Sequence, residues 1–298
     1  MQIEKNPELK IKGKVVIHQS MRDLTSLKIG GEANIFAIPE DLEDLKAILS
    51  FSKKKKLSFL VIGNGTKLLM RDEGFKGIAV KLGSFFKTIE SYDREVRVGA
   101  GMNLSQLIDY TSQRGLSGIE SLAGIPGTVG GAIVRNASAF GQTLSERVSS
   151  VKAVDKDNTC FTLLSKDMDF GYRTSIFLKN KQWVITEIRL KLSSEKREKI
   201  ISRVKEARKR KVLTQPLAFP SAGCIFKNPS SYSAGFLIQQ AGCLGLRVGD
   251  AQISFQHANF IINKGNATAQ DMLELIQMVK KRVKDRFGIS LEPELEII

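Results

Sequence analysis

Residues 120 to 141 read ESLAGIPGTVGGAIVRNASAFG, and this segment decides the fold. It holds five glycines within 18 residues and one proline among them: Gly124, Gly127, Gly130, Gly131, Gly141 and Pro126. Glycines this dense let the backbone approach a ligand closely and present N–H groups to it. A set of bulges and turns without a ligand is the alternative. Because a long, uncharged, irregular segment is costly unless it is packed or covered, the composition favours ligand contact.

A second glycine loop, GNGTKLL at 63–69, follows a predicted strand, where phosphate-binding loops commonly lie. It is not a dinucleotide fingerprint of the G-x-G-x-x-G kind, because Leu68 occupies the third glycine position. It also lacks the Gly-Lys-Ser/Thr of a nucleotide-binding P-loop. A ligand-free turn between two strands remains an alternative for this loop alone. Two such loops in separate small domains indicate one large ligand that bridges them, such as a dinucleotide.

The composition is that of a globular chain. Its 298 residues are 42% hydrophobic and 26% charged. The N-terminal residues MQIEKNPELKIKGK have no apolar core of a signal peptide. The uncharged run at 122–134 is too short and too rich in glycine and proline to cross a bilayer. We therefore expect a cytoplasmic protein without a membrane partner.

Three cysteines, Cys160, Cys224 and Cys243, lie 64 and 19 positions apart, and His18 and His257 are the only histidines. These spacings match no zinc motif, and an odd number of distant cysteines argues against a disulfide framework. The sequence therefore predicts no metal site.

The net charge is +15. The densest basic segment is EKREKIISRVKEARKRK at 195–211. It is typical of an amphipathic helix with Ile200, Ile201 and Val204 on its apolar side. Three interpretations stay open for it: a solvated charged face, an anion-binding last turn, or a nucleic-acid contact. Few aromatic residues and no RNA-binding aromatic motif favour the first two. We expect no nucleic-acid partner.

Hydrophobic periodicity predicts helices and strands along the whole chain. The predicted helices lie at 41–54, 104–114 after Asn103, 195–211, near 233–241, and 269–287 with a capping box at Thr268 and Asp271. The predicted strands lie at 57–63, 77–82, 95–101, 148–155, 159–164, 183–192 and 253–263, with a further strand in the LEPELEII segment. This order indicates three parts: 1–79, 80–195 and 196–298.

Cys224 lies in FPSAGCIFKNP at 219–229, between Gly223 and the polar Lys227 and Asn228. A thiol there can fill a core, ligate a metal, act in redox chemistry, attack as a nucleophile or donate a proton. The cysteine spacing argues against a zinc ligand and a disulfide. The flanking residues favour a functional site over a core position.

Several motifs in order resemble the family of UDP-N-acetylenolpyruvoylglucosamine reductases. They are LTSLKIGGEANIFAIP (24–39), VIGNGTKLLM (61–70), SLAGIPGTVGGAIVRNASAFG (121–141), FGYRTSIF (170–177), PSAGCIFKNP (220–229), HANFIIN (257–263) and LEPEL (291–295). Because they run almost from end to end, the resemblance is far more specific than either glycine loop.

The resemblance implies an α+β chain: an FAD-binding fold of the vanillyl-alcohol-oxidase (PCMH) type in two subdomains, 1–79 and 80–195, plus a C-terminal α+β substrate domain, 196–298. FAD is expected between the two glycine loops, with NADPH as hydride donor. The implied cofactor-binding residues are Gly63, Asn64, Gly65, Thr66, Lys67, Leu68, Gly124, Ile125, Pro126, Gly127, Gly130, Gly131 and Asn136. The segment between Tyr172 and Cys224 is short, which resembles the subtype without an inserted substrate loop.

The implied reaction reduces UDP-N-acetylglucosamine enolpyruvate to UDP-N-acetylmuramate, so charge must be stabilised on a carboxylate and a proton must reach the neighbouring carbon. Three catalytic residues follow from the resemblance. Arg173 would hold the carboxylate with its fixed guanidinium fork. Glu294 would hydrogen-bond the enolate oxygen if protonated, or orient a water. Cys224 falls where related enzymes carry a serine proton donor. A free thiol has a pKa of about 8.5 and can also donate a proton.

The implied substrate-binding residues are Tyr172, Lys211, Lys227, Asn228, His257 and Asn259. For His257 and Asn259, satisfied polar groups at a strand edge are the alternative. The chain is expected to be a monomer. Another FAD-dependent oxidoreductase of the same superfamily is the alternative enzyme, and a basic nucleic-acid-binding protein is the alternative outside enzymes.

Overall fold

A computed structural model describes residues 8–298. The helices are α1 Leu42–Lys55, α2 Leu104–Gln113, α3 Val129–Val134, α4 Ile176–Lys179, α5 Arg197–Thr214, α6 Ala234–Gln240 and α7 Ala269–Phe287. The strands are β1 Lys14–Ser20, β2 Glu32–Ile38, β3 Ser58–Val61, β4 Leu68–Leu69, β5 Phe75–Val80, β6 Ile89–Tyr92, β7 Glu95–Gly99, β8 Leu116–Ser117, β9 Ser138–Ala139, β10 Gln142–Thr143, β11 Val148–Val154, β12 Cys160–Leu164, β13 Val184–Lys191, β14 Ser193–Ser194, β15 Ser221–Cys224, β16 Arg247–Val248, β17 Ala251–Ile253, β18 Phe260–Asn263 and β19 Glu296–Ile297.

The described residues divide into two compact units. Unit one holds the described residues up to Gln19, Asn34–Gly63 and Lys76–Arg210, and unit two holds Ser20–Ala33, Asn64–Phe75 and Lys211–Ile298. The division into 1–79, 80–195 and 196–298 stays a prediction. Residues 1–7 of the first predicted subdomain lie outside the described residues. They are half of the N-terminal segment that lacks the apolar core of a signal peptide.

Unit one is built on two sheets around one core. The first sheet has the order β1-β2-β5-β3, with β3 and β5 parallel, and the second is antiparallel with the order β12-β11-β13-β7-β6. Leu45, Ile48 and Leu49 place one face of α1 in this core, as their spacing predicts. Asn103 occupies the N-cap position of α2, but its side chain makes no capping hydrogen bond, which corrects the predicted cap.

Unit two packs α7 against an antiparallel sheet of order β15-β18-β17-β16. The helix has the predicted bounds, and the predicted capping box between Thr268 and Asp271 is present. Its buried stripe consists of Met272, Leu275, Ile276, Val279 and Val283. Of the predicted LEPELEII strand only β19 forms, and it pairs in parallel with β4, opposite Leu68 and Leu69.

The predicted strand 253–263 is wrong, because the chain breaks it into β17 and β18. The Ser254 hydroxyl accepts hydrogen bonds from the backbone N–H groups of Gln256 and His257. The His257 Nδ1 atom then accepts from the Asn259 N–H at 3.2 Å. These local side-chain acceptors compete with the strand ladder and turn the chain between the two strands.

Several basic side chains of helix α5 form ion pairs within unit one. Arg203 contacts Glu120 at 2.7 Å and also bonds Glu195, while Arg208 bonds Asp109 at 2.7 Å. Burial alone would raise the pKa of Glu120, but hydrogen bonds from Arg203, its own backbone, Ser117 and Gly118 outweigh it and lower that pKa. These pairs support the interpretation of α5 as a charged face that is partly neutralised by its own fold.

Candidate functional site

In unit one, the predicted carboxylate-binding arginine lies at the tip of a tight turn. Gly171 and Thr174 pair across this turn through backbone hydrogen bonds of 3.1 and 3.3 Å. Arg173 has φ +56°, in the left-handed region that side chains other than glycine seldom adopt. Tyr172 beside it is exposed, and the guanidinium carbon lies 5.9 Å from the tyrosine ring centre. The backbone thus points a half-buried guanidinium from a fixed, strained position.

Two buried hydrogen bonds attach this turn to the end of α3. The Asn136 amide donates to the Gly171 carbonyl at 3.0 Å, and the Ser175 hydroxyl donates to the Val134 carbonyl at 2.7 Å. The Asn136 side-chain oxygen also accepts from the Ser145 N–H at 3.2 Å. The segment predicted to bind FAD therefore also positions the predicted catalytic arginine. The prediction that Asn136 contacts FAD stays a prediction.

The glycine-rich segment uses its glycines for geometry that other residues would resist. Gly124 has φ +80° and Gly127 φ +138°. At Gly130, an added Cβ would lie 3.0 Å from the Ala100 side chain, so α3 sits tightly on that residue. Thr128 is the N-cap of α3, and its hydroxyl accepts from the Gly131 N–H at 3.2 Å.

Within unit one, Gly63 from the first predicted loop meets Thr128 from the second. A Cβ at position 63 would lie 2.6 Å from the Thr128 hydroxyl oxygen, so only glycine fits there. This contact brings together the two segments that the sequence predicted as one ligand cradle. Thr128 itself was missed by the sequence reasoning, although a threonine directly before a helix is a recognisable cap signal.

In unit two, the rest of the first loop also depends on glycine. Gly65 has φ +62°, and a Cβ there would lie 2.2 Å from the Leu24 carbonyl oxygen. The Gly65 carbonyl accepts from the Ser26 N–H at 3.1 Å. This loop leads into β4, where Lys67 and Leu68 enter the parallel pairing with β19.

Cys224 ends β15, opposite Phe260 of β18, and is half-buried. A register shift separates it from Ser221, and Gly223 immediately before it has φ +70°. The bulge re-aims the end of the strand, as bulges beside functional sites commonly do. The thiol therefore lies on an irregular strand end and not in a continuous core ladder.

A cation and a buried carboxylate lie at the same place. The Lys67 ammonium donates to the Cys224 carbonyl at 2.6 Å and forms an ion pair with Glu294 at 3.2 Å. The Glu294 side chain is 4% exposed. Unit two thus brings Lys67, Cys224 and Glu294 into one cluster from three distant parts of the sequence.

Asn259 is engaged within the protein on both sides of its amide. Its oxygen accepts from the Phe226 N–H at 2.9 Å, and its nitrogen donates to the Phe226 carbonyl at 2.8 Å. The side chain thus imitates a strand partner for the residue two places after Cys224. These contacts match the strand-edge alternative, and the contact of Asn259 with substrate stays a prediction.

His257 is shielded from solvent and held in one tautomer. Burial lowers its pKa, and because Nδ1 accepts from the Asn259 N–H, Nε2 carries the proton in the neutral ring. A Cβ at Gly235 of α6 would lie 3.6 Å from the imidazole Cε1 atom. His257 is therefore a neutral donor near the start of α6.

The remaining predicted substrate residues lie in unit two, apart from Tyr172. Lys227 is mostly buried and pairs with the exposed Glu292 at 2.6 Å, a partner the sequence reasoning missed. The Asn228 side-chain oxygen accepts from the Ala234 N–H at 3.0 Å and so holds the start of α6. Lys211 lies in the last turn of α5 and is 8% exposed. Their contact with substrate stays a prediction.

Residues 8–298 contain neither a membrane-spanning helix nor a cluster of metal-ligating side chains. No helix there is long and apolar enough to cross a membrane. Those residues also contain no group of three or more His, Cys, Asp or Glu side chains that could hold a metal ion.

Two sequence families match this chain. The FAD binding domain family matches residues 33–164, and the C-terminal domain family of UDP-N-acetylenolpyruvoylglucosamine reductase matches residues 215–298. The chain is 40% identical over 286 residues to the UDP-N-acetylenolpyruvoylglucosamine reductase of Anoxybacillus flavithermus, covering 96% of this chain and 95% of that protein. It is 39% identical to the reductase of the same name from Bacillus subtilis, over 96% of this chain and 94% of that one.

A solved structure agrees. The crystal structure of UDP-N-acetylenolpyruvylglucosamine reductase (MurB) from Thermus caldophilus superposes with a TM-score of 0.81 at 36% identity, covering 97% of this chain and 99% of that one. The chain belongs to the UDP-N-acetylenolpyruvoylglucosamine reductase family. The predicted fold class is thereby confirmed.

The two matched regions of this reductase family divide the predicted site. Residues 33–164 contain both glycine loops, and residues 215–298 contain Cys224 and Glu294. Arg173 and its turn lie between the matched regions, where only the near full-length relatives reach. The Asn136 and Ser175 contacts supply a structural reason for placing this intervening turn in the site.

Proposed function

We propose that this protein reduces UDP-N-acetylglucosamine enolpyruvate to UDP-N-acetylmuramate with NADPH and FAD, a step of peptidoglycan precursor synthesis. The observation that carries this proposal is the cluster of Lys67, Cys224 and Glu294, which joins a potential proton donor to a buried carboxylate. It lies in a chain whose relatives across 96% of its length are reductases of that name. The comparisons favour this reaction over another flavin oxidoreductase of the same superfamily.

The residues present fit FAD. The left-handed glycines at 65, 124 and 127 and the close approach of Gly63 to Thr128 form backbone that cannot carry side chains. Such backbone lets a dinucleotide lie directly against N–H groups. The same segments fall in or beside the region that the FAD binding domain family matches. Residues 63–66, 68, 124–127, 130 and 131 would hold the cofactor.

FAD, when bound, accepts a hydride from NADPH and supplies it to the enolpyruvyl double bond. The protein's own residues handle charge and proton. Arg173 binds the substrate carboxylate, where its fork stabilises the charge that develops there. Cys224 donates the proton to the neighbouring carbon. Glu294, held beside Lys67, hydrogen-bonds the enolate oxygen when it is protonated, or orients a water.

The substrate is a nucleotide sugar, and its diphosphate is matched in charge by the lysines predicted to face it. Lys227 fits this role because its partner Glu292 is exposed, and an ion pair that is open to solvent on one side is weak enough to yield to a phosphate. A monomeric, cytoplasmic enzyme remains our expectation, since UDP-sugars and NADPH are cytoplasmic metabolites.

The test uses purified protein supplemented with FAD under anaerobic conditions. We expect a yellow protein whose flavin absorbance is bleached by NADPH and restored by UDP-N-acetylglucosamine enolpyruvate. UDP-N-acetylglucosamine, which lacks the enolpyruvyl group, is the matched control and should leave the reduced flavin unchanged. A colourless protein after FAD supplementation, or bleached flavin that the enolpyruvyl substrate fails to reoxidise, would contradict the proposal.

A further inference from the structure

Lys67 lies in a loop predicted to bind FAD, yet its ammonium contacts Cys224 and Glu294. We propose that Lys67 is a positioning residue for the proton-transfer step and not a ligand of the cofactor. This inference rests on the proposed function. It assigns the flavin loop a second role, which is to hold the proton donor and its carboxylate neighbour in register.

Backbone hydrogen bonds already fix the three chain segments on which these side chains stand. The Glu296 N–H donates to the Lys67 carbonyl at 2.9 Å, and the Glu294 N–H donates to the Ile225 carbonyl at 2.7 Å. The Lys227 N–H donates to the Glu292 carbonyl at 2.9 Å. The ammonium of Lys67 adds a side-chain link between these segments, at the point where Cys224 leaves its strand.

Burial makes this link matter. A carboxylate that is 4% exposed is costly to ionise unless a cation and hydrogen bonds compensate it, and Lys67 stands 3.2 Å from one Glu294 oxygen. An ammonium with three donors can also hold the Cys224 carbonyl at 2.6 Å. One cation therefore fixes the carboxylate and the backbone of the thiol residue together.

Gly223 sets the backbone conformation directly before Cys224. Its φ of +70° turns the chain just before Cys224, and a Cβ at this position would lie 3.5 Å from the Lys67 ammonium nitrogen. That distance is an ordinary van der Waals contact, so the left-handed backbone, and not the space beside the cation, favours glycine here.

The proposal predicts a charge effect on the thiol. The Lys67 ammonium lies on the Cys224 backbone carbonyl and pairs with the Glu294 carboxylate. Removing the Lys67 cation leaves the Glu294 carboxylate without its partner in the cluster that holds Cys224, and this unbalanced negative charge disfavours the thiolate. Removing the Glu294 charge leaves the cation, which favours the thiolate.

The first experiment compares Lys67→Met and Lys67→Arg with the exposed control Lys76→Met. In Lys67→Met we expect flavin reoxidation by the enolpyruvyl substrate to slow by about 100-fold, the cost of misplacing a reacting group by about 1 Å. Flavin reduction by NADPH and the dissociation constant for FAD should match those of Lys76→Met. Lys67→Arg, which keeps a cation, should recover part of the reoxidation rate.

Two outcomes overturn the inference. If Lys67→Met weakens FAD binding and excess FAD restores both half-reactions, Lys67 is a cofactor ligand. If both half-reactions of Lys67→Met equal those of the control, it positions nothing. A wild-type protein that fails either half-reaction would instead overturn the proposed function, so the two failures are distinguishable.

A second experiment needs no flavin. In a Cys160→Ser background, iodoacetamide labelling reports Cys224, because Cys243 is buried and burial raises its pKa. We expect slower labelling of Cys224 near neutral pH in Lys67→Met and faster labelling in Glu294→Gln. A loss of structure alone would expose the thiol and speed labelling in both variants, and that result would contradict the electrostatic link.

Discussion

Cys224 gains its position from main-chain features on either side. Gly223 turns the chain in front of it, and the Asn259 amide holds Phe226 two residues after it. The thiol is therefore placed by backbone geometry that a serine in the same position would share. The exchange of an alcohol for a thiol changes acidity more than it changes position.

We predict that Cys224→Ala separates the two half-reactions. Flavin reduction by NADPH should be unchanged, while reoxidation by the enolpyruvyl substrate should slow by about 10²–10⁴-fold, the usual contribution of a positioned proton donor. Stopped-flow absorbance of the flavin measures both rates. Cys160→Ala, at an exposed position on β12, is the matched control. Normal reoxidation in Cys224→Ala would exclude this thiol as the donor.

Arg173 carries backbone strain at the tip of its turn. A residue with a side chain in the left-handed region costs about 1–2 kcal/mol relative to glycine. The φ of +56° persists because Asn136 and Ser175 attach the turn on both sides. The strain serves to aim one guanidinium.

We therefore predict that Arg173→Gly is more stable than Arg173→Ala by about 1 kcal/mol, because glycine accepts the left-handed conformation without a Cβ clash. Both variants should lose the reductase activity, since neither can hold the substrate carboxylate. Urea unfolding monitored by circular dichroism measures the difference. Equal stability of the two variants would show that the turn is unstrained.

At the scale of elements, α5 is joined to the first residue of the glycine-rich segment 120–141. Arg203 connects the helix to Glu120, three residues before Ala123, and to Glu195. Hydrogen bonding to Arg203 lowers the pKa of Glu195 to about 2. The helix thereby fixes the entry of the chain into the predicted cofactor loop.

We predict a pH-dependent loss of stability in Arg203→Met. The folded-state pKa of Glu120 lies below its ordinary value of 4.5, so the stabilisation is complete above that pH and disappears as pH falls through the lower folded-state value. At pH 7 the free energy of unfolding of the variant should be lower by about 2 kcal/mol. This is less than for a fully buried ion pair, because the Arg203 guanidinium is partly exposed. At pH 3.5 its deficit should narrow.

The matched control is Arg208→Met, whose pair with Asp109 is exposed on both sides. Its cost should stay within about 1 kcal/mol at either pH. Urea titrations of the three proteins at pH 7 and 3.5 give the comparison. A deficit in Arg203→Met that grows as the pH falls would contradict the role assigned to Glu120.

Across the whole molecule, sequence patterns predicted the elements with long, regular periodicity. The bounds of α7 and its capping box could be read directly, because caps and apolar spacing are local signals. The break between β17 and β18 could not be predicted in this way. It depends on whether the backbone N–H groups of 256–259 donate to side chains or to a neighbouring strand. Local hydrogen-bond competition leaves no periodic signature.

The candidate site divides in the same way. Motif resemblance predicts roles for Cys224, Arg173 and Glu294, but it does not predict the hydrogen bond that joins Lys67 to Cys224, 157 positions apart. Ser175 likewise acts on a carbonyl 41 positions away. Neither contact has a local pattern, because each arises only when distant segments pack.

The parallel pairing of β4 with β19 has a consequence for synthesis on the ribosome. Lys67 and Cys224 are translated well before Glu294 and the strand at Glu296 and Ile297 that pairs with Leu68 and Leu69. A nascent chain that ends before residue 291 contains Cys224 and Lys67. It does not yet contain Glu294, the carboxylate that pairs with Lys67. The cluster of Lys67, Cys224 and Glu294 can therefore form only after the ribosome has released the residues around Glu294.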